Sequence, residues 1–86
     1  MIIEKITAED IAQCDGVEIS PVIEWVSQHG KVCEVISPDD FGLDPAAEYF
    51  WSVYLHLREG GVTCVADFET EAQATAYGDF LETMIA

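Results

Sequence analysis

The chain has 86 residues, 50% of them apolar and 10% aromatic, with six Gly and three Pro. That length predicts one domain over residues 1–86, and so much apolar surface excludes a collagen-like, low-complexity or wholly disordered chain. Seventeen Asp and Glu stand against three Lys and Arg, a formal net charge of −14, which sets aside direct binding to nucleic acid or anionic lipid, because both need cations that displace counterions.

The first segment, Ile2–Ile6, is short and apolar around Glu4 and predicts a strand. Thr7 followed by Asp10 has the spacing of a capping box, so a brief helix starts there and Asp15-Gly16 is expected to turn the chain out of it. Ser20-Pro21 has the form of a second helix start. Ser20 would accept from free backbone N–H groups, and Pro21 suits the first helical position, where no N–H is needed. Val22, Ile23, Trp25 and Val26 would supply its apolar face and Gly30 its stop after His29. Lys31–Ile36, rich in β-branched residues, predicts a strand broken by Ser37-Pro38-Asp39-Asp40. Residues 39–48 read as an acidic loop, with Asp44-Pro45 able to start one helical turn.

Tyr49–Leu57 is the strongest apolar run, and its aromatic and β-branched residues favour a strand. Glu59-Gly60-Gly61 then marks a hairpin turn, and Val62–Phe68 returns. With Glu59 and Gly60 at the tip, Leu57 faces Val62, Leu55 faces Cys64, Val53 faces Ala66 and Trp51 faces Phe68. That register makes one face uniformly apolar and leaves Tyr54 and His56 on a mixed face with Phe50 in line, the division a half-buried antiparallel sheet requires. A competing reading makes Pro45–Arg58 a helix. Thr70 caps a last helix, where Ala74, Tyr77, Phe80, Leu81, Met84 and Ile85 follow helical spacing. It should pack on the dry face of the hairpin, with Gly78 allowing close approach. The expected architecture is a small α+β domain in the order β-α-α-β-β-β-α, its three- or four-stranded, mainly antiparallel sheet carrying helices on one face.

No constellation predicts catalysis. The odd cysteines Cys14, Cys33 and Cys64 are widely spaced and form no CxxC pair, which fits reduced thiols in a cytoplasm. Cys64 would point to the dry face, away from His56, and Cys33 would be core, so buried inert thiols are expected rather than a nucleophile. The acidic loop fits no EF-hand spacing, His and Cys fit no zinc-finger spacing, and no glycine loop is built for phosphates. No metal or cofactor is expected. The start MIIEKITAED has no basic segment or long apolar core, and no apolar run is long enough to cross a membrane.

The charge carries the functional reading. DNA presents one negative charge per roughly 1.7 Å of axis, and carboxylates in rows can imitate it. Asp39, Asp40, Asp44 and Glu48 share the loop, and Glu69, Glu71, Asp79 and Glu82 share the last helix or its approach. A basic protein, of the kind that binds nucleic acid, is the expected partner. In size and charge alone the chain resembles the phage-borne inhibitors of bacterial nucleases and defence complexes, anti-CRISPR proteins among them, and toxin-neutralising immunity proteins. That resemblance implies a non-enzymatic inhibitor. The alternative is an adaptor that homodimerises or binds a partner through Phe50, Tyr54 and His56.

A domain of this size has about 4–13 kcal/mol of stability, and repulsion among unbalanced carboxylates weakens it. The expected result is that ~0.5 M NaCl raises the melting temperature by screening. A melting temperature that stays flat or falls with salt, followed by circular dichroism, contradicts a surface of mutually repelling carboxylates.

Overall fold

A computed structural model describes residues 3–85. The elements are helix α1 (Ala8–Ala12), strands β1 (Cys14–Ser27) and β2 (Gly30–Val35), a 3₁₀ turn at Pro38–Asp40, strands β3 (Glu48–Leu57) and β4 (Val62–Phe68), and helix α2 (Glu71–Glu82). The four strands form one antiparallel sheet in the order β2-β1-β3-β4. The fold class is α+β, with α2 laid across β1, β3 and β4.

The largest departure from expectation is at residues 20–29, where a predicted helix is the second half of the fourteen-residue β1. Pro21 is tolerated in this central strand because of where its nitrogen points. Ile36 N donates to Pro21 O at 3.0 Å, so the polar groups of Pro21 face β2. That rung is the last on the β2 side, and the missing N–H interrupts no run of pairs. Asp15-Gly16, expected as a turn, lies inside β1 at a bulge: Cys14 pairs with Leu57 and Gly16 with His56. The true turn is Ser27–Gly30. Ser27 Oγ there accepts from His29 N at 3.1 Å and donates to Gly30 O at 2.9 Å, and Gly30 takes φ +112°. The expected strand Ile2–Ile6 is reduced to a bridge between Ile3 and Ala66, with Glu4 N donating to Val65 O at 2.7 Å. Ile2 lies outside the described residues. α1 opens with the expected capping box between Thr7 and Asp10.

The hairpin is present, and the competing helix over Pro45–Arg58 is not, since that stretch is mostly β3. Its register agrees with expectation at the far end, where Trp51 pairs with Phe68 and Val53 with Ala66. It departs near the tip. Leu57 N donates to Gly61 O at 3.1 Å, so three residues, not two, make the loop. The extra residue is absorbed by a bulge at Val65, beyond which Tyr54 pairs with Cys64, Leu55 with Thr63 and His56 with Val62. Residues 62–64 therefore present the opposite faces from those expected. Cys64 is exposed on the Tyr54 side, and Val65 is buried in its place. This register is testable. Val65→Ala is expected to cost about 2 kcal/mol of stability and Cys64→Ser under about 0.5 kcal/mol, read from urea melts. The reverse ranking would restore the unbulged hairpin.

Alternation divides the sheet into two faces. Val17 and Ile19 of β1, Trp51, Val53 and Leu55 of β3, and Val65 and Ala66 of β4 join Ile11, Ala74 and Leu81 of the helices in the core. This is the helix face. α2 turns Ala74, Gly78 and Leu81 inward. A β-carbon at Gly78 would lie 2.9 Å from Ile19 Cδ1, so glycine is what lets the helix sit this close to β1. Phe80 and Met84, expected on the apolar side of this helix, are largely exposed at 57% and 44%. Among the described residues no helix lies on the opposite, open face of the sheet.

Candidate functional site

α2 is held at its start by Thr70, which accepts from Gln73 N while its own N–H donates to the Gln73 side chain. With Ala74, Gly78 and Leu81 turned inward, the helix leaves Asp79 exposed toward its outer side and Glu71 and Glu82 exposed along its flank, and Glu69 is exposed in the link that leads into it. The acidic loop folds onto the same side. Phe41 lies over Trp51 and Tyr49 with ring centres 5.3 Å and 5.2 Å apart, and Asp44 N donates to Tyr49 Oη at 2.7 Å. Because Trp51 and Tyr49 belong to the helix face, these contacts place the loop of Asp39, Asp40 and Asp44 in the same layer as α2. Glu48 alone of the expected acidic group turns to the open face, where it stands opposite Glu24.

The charges on this layer are unbalanced. Among the described residues Lys31 Nζ forms an ion pair with Glu24 Oε1 at 3.3 Å and His56 Nε2 lies 3.9 Å from Glu18 Oε1, and both contacts belong to the open face. Arg58 sits at the hairpin end, its Nε donating to Ala12 O at 3.3 Å. Among the described residues, none of the seven carboxylates at 39, 40, 44, 69, 71, 79 and 82 has a cation within ion-pair distance.

The open face brings Phe50, Tyr54 and His56 together as expected, each half-buried, in one row along β3. Between them Ser52 is buried and donates to Asp67 Oδ1 at 2.6 Å. Val22 and Ser20 of β1 fill the centre. Glu24 and Asp67, which sequence reasoning did not assign to a binding surface, flank this row together with Glu18. The alternation Ile23-Glu24-Trp25 carried the signal for Glu24.

The three thiols are free and separately placed. Cys14 is buried and donates to Asp10 O at 3.1 Å. Cys33, expected in the core, is exposed on edge strand β2 with its sulfur donating to Glu24 Oε2 at 3.3 Å. Cys64 Sγ is 3.5 Å from Asp67 Oδ1. Loss of water around the sulfur, complete at Cys14 and partial at Cys33 and Cys64, seconded by the neighbouring carboxylate, pushes all three thiols up from their ordinary value. A raised pKa means less thiolate at neutral pH, and thiolate is the nucleophile. A neutral maleimide at pH 7.5 is therefore expected to label Cys33 and Cys64 more slowly than a cysteine in a short peptide, and all three cysteines equally fast in urea. Rapid native labelling at either site would contradict the hydrogen-bonded thiols described here.

Among the described residues no three His, Cys, Asp or Glu side chains gather as a metal would need, and no helix is long and apolar enough to cross a membrane. Comparison with protein-family models, curated proteins and solved structures finds no match to this chain.

Proposed function

We propose that this chain is a non-enzymatic binding protein that sets its helix-side carboxylates on a basic protein surface, of the kind that otherwise holds nucleic acid, and so acts as an inhibitor there. The observation that carries this reading is the shared layer of α2 and the acidic loop, with seven exposed carboxylates and, among the described residues, no cation paired to them. Unpaired carboxylates left in water keep their full field for an incoming partner, steering its approach and disfavouring nucleic acid at the same surface. The same profile supports the class likeness to phage-borne inhibitors, and a reducing cytoplasm suits the free thiols.

The test is capture of a partner from a bacterial lysate on the immobilised chain, followed by two measurements on the captured protein. Its affinity is expected to fall at least about tenfold from 50 to 500 mM NaCl, and a double-stranded oligonucleotide should compete with the chain for it. An affinity unchanged by salt, or a ternary complex with the oligonucleotide, overturns the reading. The adaptor alternative rests on the helix-free open face with Phe50 and Tyr54 half-buried in it. A dimer in light scattering that persists at 500 mM NaCl and protects Tyr54 would favour that alternative.

A further inference from the structure

α2 covers only part of the helix face. The core takes Val17 and Ile19 from β1 but neither Ile23 nor Trp25, which are half-buried farther along the strand. Between that end of the sheet and the acidic loop lies an open groove of ≈ 610 Å³, lined by Ile23, Trp25, Ile36 and Ala46, with the carboxylates of Glu34 and Asp44. Its parts are held from separate directions. Trp25 pairs with Val32 and Ile23 with Glu34 across the β1–β2 hairpin. Asp44 is fixed by its N–H on Tyr49 Oη and by Oδ1, which accepts from Ala46 N at 2.9 Å. Among the described residues neither carboxylate has a cation partner.

We infer that this groove is a subsite for an arginine side chain of the basic partner, its guanidinium stacked on Trp25 and paired with Glu34 and Asp44. The inference rests on the acidic-docking reading and sharpens it to one anchor. A flat, weakly hydrated cation is what an indole beside two carboxylates selects. Lysine offers a compact, strongly hydrated charge that stacks poorly, whereas arginine can stack and hydrogen-bond at once. An overall acidic field has no such preference, and this difference separates the groove from the net charge.

The experiment titrates the full chain with octa-arginine and octa-lysine peptides at 20 mM NaCl, following the Trp25 indole N–H signal by NMR. Octa-arginine is expected to bind about 3–10-fold more tightly, with the Trp25 signal shifting. Trp25→Leu, and separately the Glu34→Gln/Asp44→Asn pair, should abolish that preference. Asn at 44 retains the oxygen that accepts from Ala46, so the turn survives. Glu69→Gln/Glu71→Gln removes the same charge elsewhere and should weaken both peptides equally while leaving their ratio intact. Salt-sensitive binding of both peptides with equal affinity, or a preference that survives Trp25→Leu, overturns the groove and leaves the docking reading standing. Failure of both peptides to bind overturns the groove and the docking reading together.

Discussion

Leu55→Ala is expected to lower the unfolding free energy by about 3 kcal/mol, a large share of the roughly 4–13 kcal/mol available to a domain of this size. Leu55 is 1% exposed. It stands in β3, flanked by Val17 of β1 and Thr63 of β4, and belongs to the core that α2 closes. Truncation removes its transfer free energy and leaves a hole walled on two sides by paired backbone, which cannot collapse freely. Leu57, two residues on and facing the same way, is only half-buried and pairs with Cys14 at the end of the ladder. Leu57→Ala should cost about 1 kcal/mol. Urea melts of the two variants under identical conditions give the comparison. Equal losses would mean that the core is not centred on Leu55, and the face assignment of the whole sheet would fall with it.

The rows that bury Leu55 were legible in the residues themselves. Trp51, Val53 and Leu55 alternate with Ser52, Tyr54 and His56, and that period of two belongs to a strand whatever surrounds it. The same period runs through Val17, Ile19, Ile23 and Trp25, with Glu18, Ser20 and Glu24 between, yet Ser20-Pro21 reads locally as a helix start. What decides the matter is remote in sequence. β1 has β3 on one side and the last rung of β2 on the other, and only this arrangement makes proline harmless at position 21. The bulge at Val65 was hidden for a related reason. Glu59-Gly60-Gly61 allows a two-residue or a three-residue loop, and the one-residue difference decides whether Cys64 faces core or solvent.

The candidate surface divides in the same way. Its carboxylates could be named from composition, but their placement depends on which way the 37–47 loop folds, and the contact of Phe41 with Trp51 fixes that. Phe41 carries no periodic signal, so its partner could not be read in advance. Trp25 stayed out of view because a helix at 21–29 would have turned its side chain into a core. A strand sends it instead to the uncovered end of the helix face, beside Glu34.

Gly78→Val is expected to cost about 3 kcal/mol, for reasons that can be taken apart. Glycine in the middle of a helix is worse than alanine by about 1 kcal/mol, so a side chain at 78 begins with a gain. Against it stands the contact: a β-carbon there would lie 2.9 Å from Ile19 Cδ1 and 3.3 Å from Val17 Cγ1. Ile19 Cδ1 ends a flexible side chain and can swing away. Val17 is β-branched and stiff, and must give by moving the strand or the helix. For Gly78→Ala the gain and the strain nearly offset, and stability should stay within about 1 kcal/mol of the parent. Valine adds two further carbons where there is no room and keeps only about half of the propensity gain. Ala76→Val, at an exposed position of the same helix, isolates the propensity cost, expected near 0.5 kcal/mol. The excess of Gly78→Val over Ala76→Val, with the about 1 kcal/mol by which glycine is the poorer helix former added back, then measures the pressure between α2 and β1. An excess near zero would mean that the helix does not rest on Val17 and Ile19, and the layer that presents Glu71, Asp79 and Glu82 beside the acidic loop would lose its foundation.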